Sequence, residues 1–101
     1  PDCMYLLFMM KIKDAVKFSD TVVQLLKEER LRRGISQYKL AKDCDISKSS
    51  ISYIECNKQV PTIRSLIIIA DYLGISLGDL IKKAEFQYRI HNYKVKNREG
   101  Y

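Results

Sequence analysis

The feature that most constrains the fold of this chain is a dense series of residues that begin or end helices. Between residues 19 and 83, Gly34 and Gly74 follow apolar segments with helical periodicity, where glycine readily adopts a left-handed end conformation. Val60-Pro61 forces an extended stretch between them. Serine or threonine caps follow these breaks. These helix-start and helix-end residues leave room only for short helices and short connections. They predict a compact all-α domain of five helices.

The five predicted helices follow from caps and apolar spacing. Asp45 tolerates the left-handed backbone of a tight turn between the second and third helices. The expected limits are the cap at Ser19 or Asp20 to Gly34, the cap at Ser36 to Cys44, Lys48 to about Cys56, Thr62 to Gly74, and a short helix from Ser76. The expected inward-facing residues include Val22, Val23, Leu25, Leu26, Leu31, Leu40, Ala41, Cys44, Ile51, Ile54, Ile63, Leu66, Ile67, Ala70 and Leu73.

The two ends of the chain lack such helix-start and helix-end residues. The expected organisation is therefore an N-terminal arm (residues 1–18), the folded domain (19–83) and a basic C-terminal arm (84–101). Apolar and polar residues alternate on both sides of His91-Asn92, which is compatible with a short β-hairpin or with a disordered end. Phe8, Met10 and Ile12 also alternate with polar residues, so a strand there could pair with the tail.

Composition narrows the class of partner. Eighteen Lys and Arg against twelve Asp and Glu give a net charge of +6, which favours a polyanion such as nucleic acid. Cys44 and Cys56 stand apart and His91 is the single histidine, so neither zinc nor another metal or cofactor is expected. The cysteine count is odd, and two of the three cysteines lie in or beside predicted helices, which suits reduced, buried thiols in a cytoplasmic protein. The apolar run of residues 4–10 is too short to span a bilayer, and its basic residues follow it, so we expect no membrane association.

Residues 26–80 resemble the Cro and phage-repressor class of helix-turn-helix proteins, also called the xenobiotic-response-element family. The resemblance implies a lambda-repressor-like fold and a bacterial or phage-type regulator, most simply a repressor, that binds specific double-stranded DNA sequences. It rests on an ordered set of residues: Arg30, Gly34-Ile35-Ser36-Gln37, Leu40-Ala41, Ile46-Ser47, Ile51-Ser52-Tyr53-Ile54-Glu55, Lys58, Pro61, Leu66, Ala70 and Leu73-Gly74-Ile75.

The third helix is the expected recognition helix. Ile51 and Ile54 would seat one edge in the core, which frees the other edge to enter the major groove. From the matching family positions, the expected base contacts are Lys48, Ser49, Ser52 and Tyr53. The expected phosphate contacts are Gln37, Ser50 and Lys58, and Arg30 and Glu55 match a family ion pair that links the first helix to the third.

Several residues depart from the family pattern. Asp45 and Asn57 replace glycines that are usual there, and Cys56 occupies a position where a phosphate-contacting asparagine or a basic residue is common. Ile68 stands where the fourth helix is usually polar, so residues 66–69 are apolar nearly all round. Such a surface favours a homodimer, with Ile68 in the contact.

Three other classes of function have less support in the sequence. An enzyme has little support, because the chain has no Gly-rich phosphate loop and no paired carboxylates in a pocket-forming pattern. An antitoxin would bind a protein partner through its arms while the same helices bind its own operator. RNA binding by the tail is the third, since aromatic and basic residues interleave there: Tyr88, Arg89, Tyr93, Lys94, Lys96, Arg98 and Tyr101.

Overall fold

The structure, a computed structural model, describes the backbone of residues 12–100 and the side chains of residues 12–90. This part of the chain contains five helices and no strand, which confirms the predicted fold class. The helices are α1 (Ile12–Arg32), α2 (Gln37–Cys44), α3 (Lys48–Glu55), α4 (Ile63–Tyr72) and α5 (Leu77–Gly100).

Short polar side chains begin α2 to α5 as the sequence predicts. At each start a serine or threonine oxygen accepts a hydrogen bond from the backbone N–H three residues later, which satisfies a donor that the helix itself leaves free. The pairs are Ser36 with Lys39 (3.0 Å), Ser47 with Ser50 (3.1 Å), Thr62 with Ser65 (3.0 Å) and Ser76 with Asp79 (3.4 Å). Gly34 and Gly74 both have the positive φ expected at the ends of α1 and α4.

One apolar core joins all five helices. Leu40, Ile51 and Leu73 are its largest fully buried side chains and come from α2, α3 and the end of α4. The small Ala41 is buried where α2 packs beside its neighbours, so a larger side chain would push these helices apart. The remaining core residues are Val22, Leu25, Leu26, Cys44, Ile69, Ala70, Leu80 and Ala84.

The first helix begins earlier than expected. Ser19 and Asp20 lie inside α1, which already starts at Ile12, so neither of them caps the helix. The added turns are held by α5: Phe18 packs against the core and its ring lies 5.7 Å from that of Tyr88. Ile12 is therefore helical, and the expected strand is wrong at that residue. Phe8 and Met10 lie outside the described residues.

The predicted C-terminal hairpin is also wrong, because α5 continues without a break to Gly100. Its inner face repeats every four residues: Leu80, Ala84 and Tyr88 are buried. Phe86, which the alternating pattern placed on the same side as Tyr88, is 67% exposed. Helices α1 and α5 thus run through both expected domain boundaries, after residues 18 and 83.

Individual burial assignments changed in three places. Leu31 is exposed on α1. On α4 the inward-facing residues are Ile69, Ala70 and Leu73, with Leu66 partly buried beside them, so Ile63 and Ile67 point outward instead of inward. The apolar run at residues 66–69 contains two possible helical registers, and contact with the core selects one of them. Cys44 is buried as expected, whereas Cys56 is exposed.

Candidate nucleic-acid interface

Helices α2 and α3 are joined by a three-residue turn. Its first residue, Asp45, has the left-handed backbone that the sequence predicts, with φ 56° and ψ 44°. Ile46 then donates its backbone N–H to the carbonyl of Ala41 (3.0 Å), which satisfies a carbonyl at the end of α2. Ser47 caps α3 directly afterwards. This compact turn fixes the angle at which α3 leaves α2.

Helix α3 has one buried edge and one open edge. Ile51 and Ile54 are 1% and 5% exposed and seat the helix against the core. On the other edge Lys48, Ser49 and Tyr53 are exposed and Ser52 is half-buried. The four expected base-contacting residues therefore share the open edge of the helix. Lys48 is the one charged residue among these four. Such a surface can donate and accept hydrogen bonds at base edges, and it does not by itself favour one DNA sequence.

The expected phosphate-contacting residues lie on the elements around α3. Ser50 is half-buried in its first turn, where its hydroxyl accepts a hydrogen bond from Ser47 Oγ (2.9 Å). Lys58 is exposed in the turn that follows α3, and its backbone N–H bonds to the carbonyl of Tyr53 (2.8 Å). Among the side chains of residues 12–90, neither Lys48 nor Lys58 forms an ion pair.

Arg30 and Glu55 form a bidentate pair between α1 and the last residue of α3. Arg30 Nε donates to Glu55 Oε2 (2.7 Å) and Arg30 Nη2 to Oε1 (2.8 Å). The two side chains are only 7% and 8% exposed. Arg30 Nη1 also donates to the carbonyl of Ile35 (2.7 Å), and Gln37 Nε2 donates to Glu55 Oε1 (2.9 Å). The sequence suggested the pair, but the bonds to Ile35 and Gln37 could not be foreseen.

The sequence profile of the helix-turn-helix family matches residues 26–80, which spans α2, α3 and α4 with the end of α1 and the start of α5. The chain belongs to the helix-turn-helix family. Within this family the chain is of the xenobiotic-response-element type. Its family membership makes the protein a DNA-binding transcription regulator. Among curated proteins, a comparison of sequences finds no match.

Two solved structures are similar to this helix-turn-helix protein. The clp gene regulator ClgR from Corynebacterium glutamicum superimposes with a TM-score of 0.68 at 17% sequence identity, over 80% of this chain and 86% of that chain. SinR, the master regulator for biofilm formation, gives a TM-score of 0.55 at 33% identity, over 59% of this chain and 97% of that chain. The SinR structure is a complex with DNA.

The helix-turn-helix pattern departs from its usual residue at two positions. Asp45 and Asn57 stand where the family usually has glycine, and both adopt a positive φ (56° and 60°). Asp and Asn are the residues other than glycine that most readily do so. Cys56, which directly follows α3, is exposed on the surface beside Asn57.

A second polar contact joins α2 to the end of α4, and no sequence motif indicated it. Tyr72 Oη, at the end of α4, donates to Asp43 Oδ2 (2.5 Å), and Lys39 Nζ lies 3.1 Å from the same oxygen. The Tyr72 hydrogen bond and then the Lys39 ammonium lower the pKa of Asp43. The bond to this carboxylate raises the pKa of Tyr72, because deprotonation would remove the donor.

Two other features were expected to be absent, a metal site and a membrane-spanning segment, and the described part of the chain was compared with both. No group of three or more His, Cys, Asp or Glu residues there could hold a metal ion. No helix within residues 12–100 has the length and apolar character needed to cross a membrane.

Proposed function

We propose that this helix-turn-helix protein binds specific duplex DNA sequences by placing α3 in the major groove, and that it represses transcription by occupying an operator. The observation that carries the proposal is the division of α3 into two edges. Ile51 and Ile54 are buried, whereas Lys48, Ser49 and Tyr53 are exposed. A short helix held only by one edge can enter a groove that is wide enough for a helix.

The open edge offers several base contacts. Lys48 can donate to guanine O6 or N7, and the hydroxyls of Ser49 and Ser52 can donate or accept. Tyr53 can pack its ring on a thymine methyl group or hydrogen-bond a phosphate. These four residues form the proposed specificity surface.

Phosphate contacts would fix the protein on the duplex. Gln37 is the first residue of α2, where free backbone N–H groups favour an anion. Ser50 lies in the first turn of α3, and Lys58 follows that helix with no ion-pair partner among the described side chains. The net charge of +6 supports the same role, because phosphate binding releases counterions. The similarity to SinR, solved with DNA, is consistent with it.

We further propose that two copies associate through α4. Ile63, Ile67 and Ile68 leave apolar surface on this helix, 64%, 52% and 39% exposed respectively. A homodimer would bury this surface and would read two half-sites of one operator. Sedimentation velocity tests it: Ile68→Lys should shift a wild-type dimer to monomer, and Phe86→Lys, an equally drastic change on α5, should not. A monomeric wild type at micromolar concentration, with and without DNA, would exclude the dimer.

The DNA-binding surface is tested with two variants and two duplexes. Against a duplex selected from a random pool and an unrelated duplex, Tyr53→Ala should lose affinity mainly for the selected one and so relax specificity. Lys58→Ala should weaken binding to both and reduce the slope of log Kd against log salt by about one. If both variants bound both duplexes as the wild type does, the proposed surface would be wrong.

A further inference from the structure

We propose that Glu55 is a positioning residue for DNA binding: its carboxylate orients the side-chain amide of Gln37 so that an N–H of that amide is presented to a DNA phosphate. The inference rests on the proposed function, and within it assigns to Glu55 a role beyond its ion pair with Arg30. Glu55 itself would not touch the DNA.

The carboxylate of Glu55 lies where three parts of the chain meet. Its Oε1 atom accepts from Arg30 Nη2 on α1 and from Gln37 Nε2 at the start of α2, at 2.8 and 2.9 Å. Its Oε2 atom accepts from Arg30 Nε at 2.7 Å. The bidentate contact with arginine compensates the negative charge. A carboxylate compensated in this way can lie beside a phosphate-binding residue without repelling the phosphate.

The chemistry of the two groups determines which way the amide turns. A carboxylate can only accept hydrogen bonds, so it binds the nitrogen of the Gln37 amide and not its oxygen. The amide nitrogen carries two hydrogens, of which Glu55 takes one. The second N–H remains for an acceptor such as a phosphate oxygen. Without the carboxylate, the amide could turn its oxygen to the same place, where it would face the phosphate as an acceptor facing an acceptor.

The same contacts hold the start of α2 against the end of α3. Arg30 also donates to the carbonyl of Ile35 (2.7 Å), two residues before Gln37, so the approach to α2 is bound to the same guanidinium. Both Arg30 and Glu55 are almost fully buried, which limits their freedom to rearrange. Gln37 is therefore presented from a fixed frame, and the ordering of its side chain is complete before DNA arrives.

The test is a double-mutant cycle on DNA affinity with Gln37→Ala and Glu55→Gln, using a selected duplex and the full chain well below its melting temperature. Gln37→Ala should weaken binding by roughly tenfold to a hundredfold in the wild-type background, the usual loss for one hydrogen bond to a charged group. In the Glu55→Gln background the same substitution should cost less than about twofold, since the amide is no longer oriented.

Lys58→Ala is the matched control. No ion pair or hydrogen bond joins the side chains of Lys58 and Glu55, so the fold-change caused by Lys58→Ala should be the same in both backgrounds. A purely structural role for Glu55 predicts that the Gln37→Ala effect, too, stays the same in both, and this outcome would overturn the proposal. If the wild type bound no duplex, the DNA-binding function itself would fail, which is a different result.

Two further measurements keep the test decisive if Glu55→Gln does not fold. The first is the same cycle with Glu55→Asp, which keeps the charge and withdraws the carboxylate by one methylene. The second needs no variant: nitrogen relaxation of the Gln37 side-chain amide in the DNA-free protein. A side chain held by Glu55 should have an order parameter close to the rigid-backbone value of about 0.85, whereas a value below about 0.6 would contradict the proposal.

Discussion

Arg30 is a charged residue with a buried side chain, and its hydrogen bonds explain why that burial is tolerated. Three of its nitrogens donate, two to the Glu55 carboxylate and one to the Ile35 carbonyl. A buried charge is stable only when such partners replace water. Each partner comes from a different helix or turn, so one side chain fixes the relative positions of several elements.

Removing this arginine should be far more damaging than removing an exposed one. Arg30→Met keeps much of the aliphatic volume but leaves the buried Glu55 carboxylate without its cation, and we expect the free energy of unfolding to fall by about 3–5 kcal/mol. Urea denaturation measures it. Arg32→Met, which loses an exposed contact with Glu29, is the control and should change stability little. Equal effects of the two substitutions would contradict the assigned role of Arg30.

The Tyr72–Asp43 contact predicts a specific pH dependence. The folded-state pKa of Asp43 is below its ordinary value of 3.8, so this contact stabilises the protein above that pH, and the contribution is lost as the pH falls through the lowered pKa. Wild type should therefore be more stable than Tyr72→Phe near neutral pH, and the difference should shrink below pH 3.8. Thermal melts of both proteins across this range test it. A difference that grows on acidification would be inconsistent with the contact.

For single residues, the sequence predicts those hydrogen bonds that join residues close together in the chain. The caps Ser36, Ser47 and Thr62 each bond to a residue three positions away, so their pattern can be read directly. The bonds of Gln37 to Glu55 and of Tyr72 to Asp43 join residues 18 and 29 positions apart. Such bonds depend on how helices pack, and no local pattern encodes them. The Arg30–Glu55 pair was suggested only because the family resemblance supplied it.

Helix α5 is the element for which the sequence prediction failed. Phe86, Tyr88 and Ile90 alternate with polar residues, which is typical of a strand with one buried face. The same segment also has Leu80, Ala84 and Tyr88 at intervals of four, and these are the residues that the structure buries. Both periods are present in the sequence. Packing against α1, which supplies Phe18 beside Tyr88, favours the helix.

The two interpretations of this segment make opposite predictions for neighbouring aromatic residues. On a strand, Phe86 and Tyr88 would share a face and behave alike. On α5, Tyr88→Ala removes a ring that is 9% exposed and should destabilise by about 3–5 kcal/mol, whereas Phe86→Ala, 67% exposed, should stay within about 0.5 kcal/mol. Chemical denaturation followed by far-UV circular dichroism measures both. Comparable losses for the two would favour the strand.

The two ends of α1 show why element boundaries were harder to predict than elements. Gly34 marks the C-terminal end correctly, because the left-handed backbone there depends on that residue alone. At the other end, Ser19 and Asp20 have the composition of a cap but lie within the helix. The turns before them persist because Phe18 packs on α5, a segment about seventy residues further along the chain. Helical turns at the end of a helix persist in water mainly where such tertiary contacts exist.

On the scale of the whole molecule, the residues that hold α3 in the fold differ from those that we propose to recognise DNA. The core holds Ile51 and Ile54, and the carboxylate of Glu55 ties the helix to α1 and α2. None of these residues overlaps with Lys48, Ser49, Ser52 or Tyr53. A regulator arranged in this way could change its operator by substitutions on the open edge while the fold stays the same.

The sequence-wide prediction of the fold succeeded because several local signals agreed: caps, left-handed turn residues and apolar spacing all indicated short helices. For the proposed interface, the sequence predicted which side chains of α3 stay exposed or half-buried, and whether they contact DNA remains part of the proposal. The DNA sequence that it recognises was not, because serine, lysine and tyrosine each have several acceptable partners among the bases. The arrangement of the proposed homodimer depends on an interface between two copies, which a single chain does not show.

The most direct test of sequence-specific binding is selection of bound duplexes from a randomised DNA pool at near-physiological salt, followed by sequencing. We expect an enriched motif with two inverted half-sites whose centres lie about one helical turn apart, roughly 34 Å, as a dimer that inserts two α3 helices requires. A single enriched half-site would retain specific recognition and exclude the symmetric dimer. A pool with no enriched sequence, although the folded wild type retains DNA, would contradict sequence-specific binding by α3.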